Sequence, residues 1–134
     1  MLLAALLLAQ AQAVVTCNVL DFTLPPKYAA WKTPGEVFEP GKAVELQSTD
    51  GATTIGFRIA RAGVYGVALD QKGWIDVIPG ATGGEPLKSV AHREGDSCWS
   101  IKKIVRFQLD PGLYRLTLTK LARPQAKVML VEGE

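Results

Sequence analysis

The residues best suited to metal binding or acid–base chemistry lie between Ser89 and Lys103, in the stretch SVAHREGDSCWSIKK. His92, Glu94 and Asp96 are spaced two residues apart, so on an extended segment all three side chains would point to one side. One imidazole and two carboxylates can bind a divalent cation, or place a general acid beside a general base. The alternative is a polar loop whose charges are solvated. Gly95 favours this alternative, because a glycine between Glu94 and Asp96 argues against a regular strand. A divalent metal is therefore the one cofactor hypothesis, and no catalytic residue is assigned.

Signatures of other reactions are absent from the sequence. It contains a single histidine, no Gly-x-Ser-x-Gly elbow, no phosphate-binding glycine-rich loop before a helix and no Cys-x-x-Cys pair. The net charge is only +2, and basic and aromatic residues are not interleaved on one element, which argues against nucleic-acid binding. The sequence therefore favours a non-catalytic binding or accessory domain.

Three tryptophans, Trp31, Trp74 and Trp99, are candidates for a second kind of site, because aromatic rings on a sandwich can stack against sugar rings. Trp74 shares its strand parity with Asp76, which predicts a position on the outer face of a sheet. Trp99 directly follows Cys98, and tryptophan packing on a disulfide is common in sandwiches. Packing in the core or on the disulfide is the alternative for each ring.

Basic residues are concentrated towards the C-terminus. Between Ile101 and Lys127 one acidic residue, Asp110, accompanies seven basic ones: Lys102, Lys103, Arg106, Arg115, Lys120, Arg123 and Lys127. If Lys102, Arg106 and Arg115 point outward, they form a cationic surface suited to an anionic polysaccharide or membrane surface. The alternative is a sheet edge that lysine and arginine protect against aggregation.

Residues 1–13, MLLAALLLAQAQA, have the pattern of a signal peptide. An apolar run from Leu2 to Ala9 precedes Ala11-Gln12-Ala13, a small-x-small cleavage site, and the run is shorter than the roughly twenty residues that span a bilayer. We expect a periplasmic or secreted protein without a transmembrane segment after cleavage. A buried N-terminal element and a lipoprotein modified at Cys17 are the alternatives, and Thr16 disfavours the second.

The two cysteines are predicted to form a disulfide between Cys17 and Cys98, because an even number of cysteines in an exported protein usually means pairing. Such a bond would tie an N-terminal segment to the body of the domain. The alternative is a free, reactive Cys98 whose thiolate Lys102 and Lys103 would favour.

Period-2 alternation of apolar residues dominates the sequence after Gly41 and predicts half-buried strands. The runs centre on Phe57, Val67, Asp76, Phe107, Leu116 and the pair Val128 and Leu130. No window has the spacing of an amphipathic helix, and the 121 residues after the signal peptide suffice for one domain. We predict an all-β antiparallel β-sandwich, jelly-roll-like, of about eight short strands, at residues 42–134, after an extended proline-rich lead-in at residues 14–41.

Turn residues suggest how these strands connect. Asp110-Pro111-Gly112 has the composition of a tight type II turn between paired strands. The run from Phe57 to Leu69 also parallels the run from Phe107 to Leu118, each entering its second strand through Gly-x-Tyr. This internal repeat predicts two similar hairpins in facing sheets.

The sequence resembles a family of small exported proteins of sphingomonad-type alphaproteobacteria, some of which carry the name homogentisate 1,2-dioxygenase. The matching motifs cover most of the mature chain: Cys17 with Leu24-Pro25-Pro26 and Trp31; Ala62-Gly63-x-Tyr65; Gly73-Trp74-Ile75-Asp76-Val77; Leu87-Lys88-Ser89-Val90-Ala91-His92; Cys98; Ile101-Lys102-Lys103-x-Val105-x-Phe107; and Leu109-x-Pro111-Gly112-x-Tyr114-x-Leu116. The resemblance implies sheets similar to those of pre-peptidase C-terminal and carbohydrate-binding modules, and it implies no known reaction.

The dioxygenase name does not suit these residues. An iron site of the relevant kind needs two histidines and a carboxylate, and this chain has one histidine. Family members often read His-Gly-His-Gly before the cysteine, where this chain has Arg93 and Glu94 in place of the first Gly and the second His. The sequence thus leads to an exported β-sandwich that binds a polysaccharide or a cell-envelope partner, with a metal site at His92, Glu94 and Asp96 as the alternative.

Overall fold

The structure is a computed structural model that describes residues 16–80 and 84–133. The predicted signal peptide at residues 1–13 lies outside the described residues. The elements are a short 3₁₀ helix, Pro26–Lys32, and eight strands: β1 Lys42–Gln47, β2 Thr53–Ile59, β3 Gly63–Leu69, β4 Trp74–Pro79, β5 Ala91–Glu94, β6 Lys103–Leu109, β7 Gly112–Thr119 and β8 Gln125–Glu132.

The strands form two antiparallel sheets that face each other. The five-stranded sheet has the order β1-β8-β3-β6-β5, and the three-stranded sheet has the order β2-β7-β4. This is the arrangement of a jelly roll, except that the short β5 pairs with β6 of the larger sheet instead of extending the smaller sheet beyond β4. The predicted all-β sandwich is confirmed.

The main core lies between the two sheets and is built by the alternation that the sequence shows. Each strand of the smaller sheet turns one set of alternate side chains inward, and the larger sheet does the same from its side. The fully buried members from the two sheets include Val67, Phe107, Leu116 and Val128.

A second apolar cluster covers the opposite face of the five-stranded sheet. Alternate residues of its central strands, including Ala68, Ile104 and Met129, point away from the main core and are nonetheless 0 % exposed. The 3₁₀ helix covers them with Tyr28 and Trp31. The segment predicted as an extended lead-in is therefore partly helical, and it forms a third layer of the molecule.

The connections at Asp110–Gly112 and at residues 60–62 are not hairpins, so the prediction of paired strands at these turns was wrong. β6 and β7 lie in different sheets, and so do β2 and β3. The reason is that β6 already pairs with β3 and β5, while β7 pairs with β2 and β4, which leaves neither strand a free edge for the other. The two-stranded ribbon β2–β7 instead crosses to the facing sheet and continues there as β3–β6.

The two copies of the internal repeat lie where the chain passes from one sheet to the other, at β2–β3 and at β6–β7. Phe57 pairs with Tyr114, and Tyr65 pairs with Phe107, so each tyrosine lies opposite the phenylalanine of the other repeat. The Tyr65 hydroxyl donates a hydrogen bond to the Arg61 carbonyl, and the Tyr114 hydroxyl donates one to the Asp110 carbonyl, both at 2.6 Å. Each bond joins a tyrosine to a residue four positions earlier, in the connection between the two sheets. Tyrosines stabilise corners of other Greek-key sandwiches in the same way.

A disulfide and the hydrogen bonds of one carboxylate attach residues 17–33, which we call the N-terminal layer, to the rest of the protein. Cys17 and Cys98 form the predicted disulfide, with their Cα atoms 5.2 Å apart, so the expectation is confirmed and neither a free thiol nor a lipidated Cys17 fits. The Asp21 carboxylate accepts bonds from the Ser100 backbone N–H and hydroxyl, at 2.6 Å each. The Trp31 indole N–H donates to the same hydroxyl at 2.8 Å.

We expect Tyr65→Phe and Tyr114→Phe to destabilise the domain by similar amounts, about 1 kcal/mol each, because each removes the single hydroxyl that fastens one corner. Urea unfolding followed by circular dichroism measures both values. A negligible cost for either variant would contradict the role of the corner bonds.

We expect the double variant Cys17→Ser/Cys98→Ser to lose about 3–5 kcal/mol of unfolding free energy, because the bond closes a loop with a sequence separation of 81. The comparison is urea unfolding of the oxidised protein and the variant. A reduced wild-type sample is the control for the serine side chains and should match the variant.

Candidate functional site

The outer face of the three-stranded sheet is the main candidate surface, and we call it the open face. The described helix lies against β1 and β8 of the other sheet, so it does not cover this one. The strand registers place the following side chains on the open face: Trp74, Asp76 and Ile78 of β4; Leu113, Arg115, Thr117 and Thr119 of β7; and Thr54 and Arg58 of β2, with Gly56 between them. Polar residues, one large aromatic ring and two cations thus share one surface.

Trp74 stands on this face with 57 % of its surface exposed, as its strand parity predicts. Its indole N–H donates a hydrogen bond to Asp76 Oδ1 at 3.2 Å, which orients the ring. The Lys120 ammonium nitrogen lies 5.7 Å from the ring centre. The ring is therefore held in place beside both a carboxylate and a cation, with much of its surface open to a ligand.

Two arginines supply positive charge to the open face. Arg115 lies opposite Gly56 of β2, which places no side chain beside it, and opposite Ile78 of β4, while Arg58 lies opposite Leu113. Among the described residues, neither arginine has a carboxylate oxygen within 4.0 Å. Their charges are thus available to an anionic ligand.

A groove of about 1170 Å³ continues the open face around the β2 edge. Its lining includes Arg58 and Arg115 of the smaller sheet and residues 36–40, among them Glu36 and Glu39, whose neighbour Phe38 packs in the main core. Three aromatic rings are also among its lining residues: Phe38 meets Phe57 edge-on with ring centres 5.3 Å apart, and Phe57 stacks on Tyr114 at 5.5 Å.

The other two candidate tryptophans lie elsewhere. Trp31 is 0 % exposed and Trp99 is 4 % exposed, both in the cluster under the N-terminal layer. The Trp99 indole N–H donates to Thr23 Oγ1 at 3.1 Å, and the Lys127 ammonium lies 4.9 Å from the Trp31 ring centre. The structure does not bring the three rings to one surface, and both buried rings fasten the third layer.

The residues of the metal hypothesis lie at the other side edge of the sandwich. His92 and Glu94 are on one side of β5, while Asp96 lies beyond the strand and pairs with the Arg93 guanidinium at 2.5 Å. His92 lines a smaller groove of about 450 Å³ together with Trp74, Asp76 and Lys103. No group of three or more His, Cys, Asp or Glu side chains in the described ranges is placed to hold a metal ion.

The basic residues of the C-terminal half do not share one surface. Arg115 is on the open face, whereas Arg106 is on the outer face of the other sheet, half-buried beneath the N-terminal layer. Burial raises the pKa of the nearby Tyr28 phenol above its usual value, and the positive charge of Arg106 opposes that rise. The cationic surface predicted from Lys102, Arg106 and Arg115 together is therefore divided between opposite sides.

Arg58 and the large groove were not anticipated. The parity of Arg58 against Phe57 and Ile59 was a usable signal, because it places the arginine outward on β2. No local pattern shows that residues 36–40 line the same groove, since that depends on the packing of Phe38 against Phe57 in the main core.

The residues that the structure describes include no helix with the length and apolar composition of a membrane span. A comparison with protein-family models found no match, and a comparison with curated proteins found none either.

We expect neither a chelator nor added Zn²⁺, Mn²⁺ or Ca²⁺ to change the thermal midpoint, because Asp96 is engaged by Arg93 and does not join His92 and Glu94. A cation at a hundred times its dissociation constant would add about 2.7 kcal/mol to the free energy of unfolding, which a thermal melt resolves. A stabilising shift that His92→Ala abolishes would restore the metal hypothesis.

Proposed function

We propose that this protein is an exported, non-catalytic domain that binds an acidic polysaccharide on the open face. The observation that carries the proposal is Trp74, 57 % exposed on the outer side of a sheet and oriented by its bond to Asp76. An exposed aromatic ring whose orientation is already fixed can stack on a sugar ring without being ordered on binding, which is what supports the proposal.

Trp74 supplies the stacking contact for a sugar ring. The polar groups next to it are those that bind hydroxyls: the Asp76 carboxylate accepts hydrogen bonds, and the Thr117 hydroxyl, in the register position beside Asp76, can donate or accept them. The flat surface of paired strands suits an extended chain rather than a small compact ligand.

The two arginines favour an acidic chain over a neutral one, since neither is paired with a carboxylate among the described residues, whereas Glu39 and Glu132 of the groove are paired with Lys42 and Arg61. Ile78 is opposite Arg115 and Trp74 is opposite Thr119, so Arg115 lies four residues, or about 13 Å, from the Trp74 position along the strands. A polymer that stacks on Trp74 can thus reach Arg115, and then Arg58, with carboxylates farther along the chain. Arginine binds carboxylates through two parallel hydrogen bonds, which gives direction as well as affinity.

The expected compartment is the periplasm or the cell exterior. The signal-peptide pattern of residues 1–13 supports this, and the Cys17–Cys98 disulfide is compatible with an oxidising compartment. Envelope and extracellular polysaccharides are present there. The analogy with the sheets of carbohydrate-binding modules, which the family resemblance implies, agrees with this proposal at the level of the fold alone.

The test is titration calorimetry with polygalacturonate as an acidic polymer and a neutral glucan as the comparison. We expect binding of polygalacturonate that weakens with salt, and little binding of the glucan. Trp74→Ala should weaken binding about tenfold or more, because it removes the stacking surface. Arg58→Gln/Arg115→Gln should weaken it and reduce its dependence on salt.

Two matched controls lie away from the open face. Phe22→Ala removes an aromatic ring that is 79 % exposed in the N-terminal layer, and Lys102→Gln removes an exposed cation. Both should bind like the wild type. Unchanged binding by a folded Trp74→Ala variant, or no binding by the wild type to any acidic polymer, would overturn the proposal.

A further inference from the structure

The free edge of β2 lacks the protection that the other three end strands of the sheets have. The Gly35 N–H donates a hydrogen bond to the Ala43 carbonyl of β1 at 2.8 Å, and the Leu87 N–H donates one to the Val77 carbonyl of β4 at 2.9 Å. β5 is only four residues long, and all four are exposed. β2 has seven residues, no proline and one charge, at Arg58, and among the described residues only β7 is hydrogen-bonded to its backbone. A long edge of this kind is open to pairing with another strand.

The direction of the backbone groups in β2 follows from its partner β7. The Gly80 N–H, directly after β4, donates to the Leu113 carbonyl at 2.7 Å, so the backbone groups of Leu113 face β4. Successive residues of a strand direct their N–H and C=O groups to opposite sides, so those of Tyr114 face β2. Tyr114 is paired with Phe57, and these two residues therefore exchange the hydrogen bonds of the ladder.

The same alternation leaves three residues of β2 with both backbone groups on the free side. Because Phe57 directs its groups to β7, the residues on either side of it direct theirs away from β7. The three residues are Thr54, Gly56 and Arg58, and all three are exposed. Ala52 has the same direction, and it already exchanges two hydrogen bonds with Thr49. The edge thus offers three N–H and three C=O groups in a row that begins at Thr54.

The groove of about 1170 Å³ runs along this edge. Its lining includes residues 54–58, which are five consecutive positions of β2. Side chains of consecutive strand residues lie on opposite faces of a sheet, so a groove that all five line follows the edge rather than either face. Open space therefore lies beside the free backbone groups, where an added strand would run about 4.8 Å from β2.

The two sides of the edge differ in chemistry. On the inner side, Ile55 and Phe57 face the core, and Phe38 packs edge-on against Phe57. On the outer side are Arg58 and Arg115, and neither has a carboxylate oxygen within 4.0 Å among the described residues. An added strand would thus have an apolar face turned inward and, by charge complementarity, an acidic face turned outward.

The acidic residues of the groove do not reverse this preference. Glu39 pairs with Lys42 at 3.3 Å, and Glu132 pairs with Arg61 at 2.7 Å. Glu36 is the one lining acid without such a partner in the described ranges, and it is opposed by two unpaired arginines. The charge left to a ligand at this edge is therefore positive.

We propose that the free edge of β2 binds an extended polypeptide segment in which apolar and acidic residues alternate. The segment adds a fourth strand to the smaller sheet, and its backbone forms hydrogen bonds with Thr54, Gly56 and Arg58. Its apolar side chains pack towards the core, and its carboxylates pair with the two arginines. A second copy of β2 would bring a further arginine and no carboxylate, so the charges favour a different polypeptide.

This inference does not rest on the proposed polysaccharide binding. Both ligands use Arg58 and Arg115, but only the polysaccharide uses Trp74, which lies on β4 beyond β7. Trp74→Ala should therefore bind an acidic peptide like the wild type, while its binding of polygalacturonate falls. This variant separates failure of one proposal from failure of the other.

The test is fluorescence anisotropy with a labelled peptide of the sequence Glu-Val-Glu-Val-Glu-Val-Glu. We expect saturable binding that weakens with salt. The same peptide with lysine in place of glutamate should bind about tenfold more weakly or not at all, because it meets the two arginines with like charges. Arg58→Gln/Arg115→Gln should reduce the difference between the two peptides.

Backbone pairing is tested by two N-methylated forms of the acidic peptide, one methylated at the glutamates and the other at the valines. The N–H groups of a strand alternate in direction, so one set points to β2 and the other to solvent. We expect one form to lose affinity about tenfold or more and the other to keep it. Equal affinities of the two forms would overturn pairing at the edge.

Gly56→Pro tests the edge from the side of the protein. Proline removes an N–H at the free edge and leaves the hydrogen bonds to β7 in place, so the variant should fold and bind the peptide about tenfold more weakly or not at all. Gly56→Ala is the matched control, because it keeps the N–H and its Cβ would lie 3.8 Å from the nearest atom, the Tyr114 carbonyl oxygen. It should bind like the wild type.

Three further results would overturn the proposal. The first is a wild-type protein that does not bind the acidic peptide, and the second is unchanged binding by a Gly56→Pro variant whose near-ultraviolet circular dichroism is native. The third is a concentration-dependent dimer that Gly56→Pro dissociates, without peptide binding, which would assign the edge to self-association. If Gly56→Pro does not fold, the two methylated peptides decide the question on the wild-type protein.

Discussion

The five-stranded sheet is apolar on both faces, and the rest of the structure depends on covering both. In β3, Val67 and Leu69 face the main core while Ala68 faces the other way, and all three are 0 % exposed. The three-stranded sheet covers one face through regular packing. The other face is covered by a largely irregular N-terminal segment with few backbone bonds to the sheet, so covalent and side-chain anchors hold it: the disulfide, the Asp21–Ser100 bonds and the buried Trp31 and Trp99.

This arrangement makes the molecule asymmetric. The smaller sheet has one apolar face, which the core occupies, so its other face is free to carry arginine, threonine and an exposed tryptophan without loss of stability. The anchors of the third layer, in turn, hold residues 17–23 on the far side. The open face therefore exists because a sheet with two apolar faces is packed against a sheet with one.

Local patterns predicted the parts of the fold that depend on local geometry. Alternation identified the strands around Phe57, Val67, Phe107 and Leu116, because burying one face of a strand requires period 2. It failed for β5, whose four residues are all exposed and show no alternation. The Asp110–Gly112 turn was correctly read as a bend but not as a crossing, because the partner of a strand depends on which edges are already occupied.

The amino-acid sequence by itself determined the all-β class, the paired cysteines and the outward side of Trp74, since each depends on composition or on parity along one strand. Only the tertiary structure decided that Trp31 and Trp99 lie under the third layer, that Asp96 pairs with Arg93, and that Arg106 and Arg115 lie on opposite sides. The physical reason is that these placements are set by contacts between segments far apart in the chain. The alternation of neighbouring residues determines which face of a strand a side chain lies on, but it does not determine which side chains of other segments it contacts.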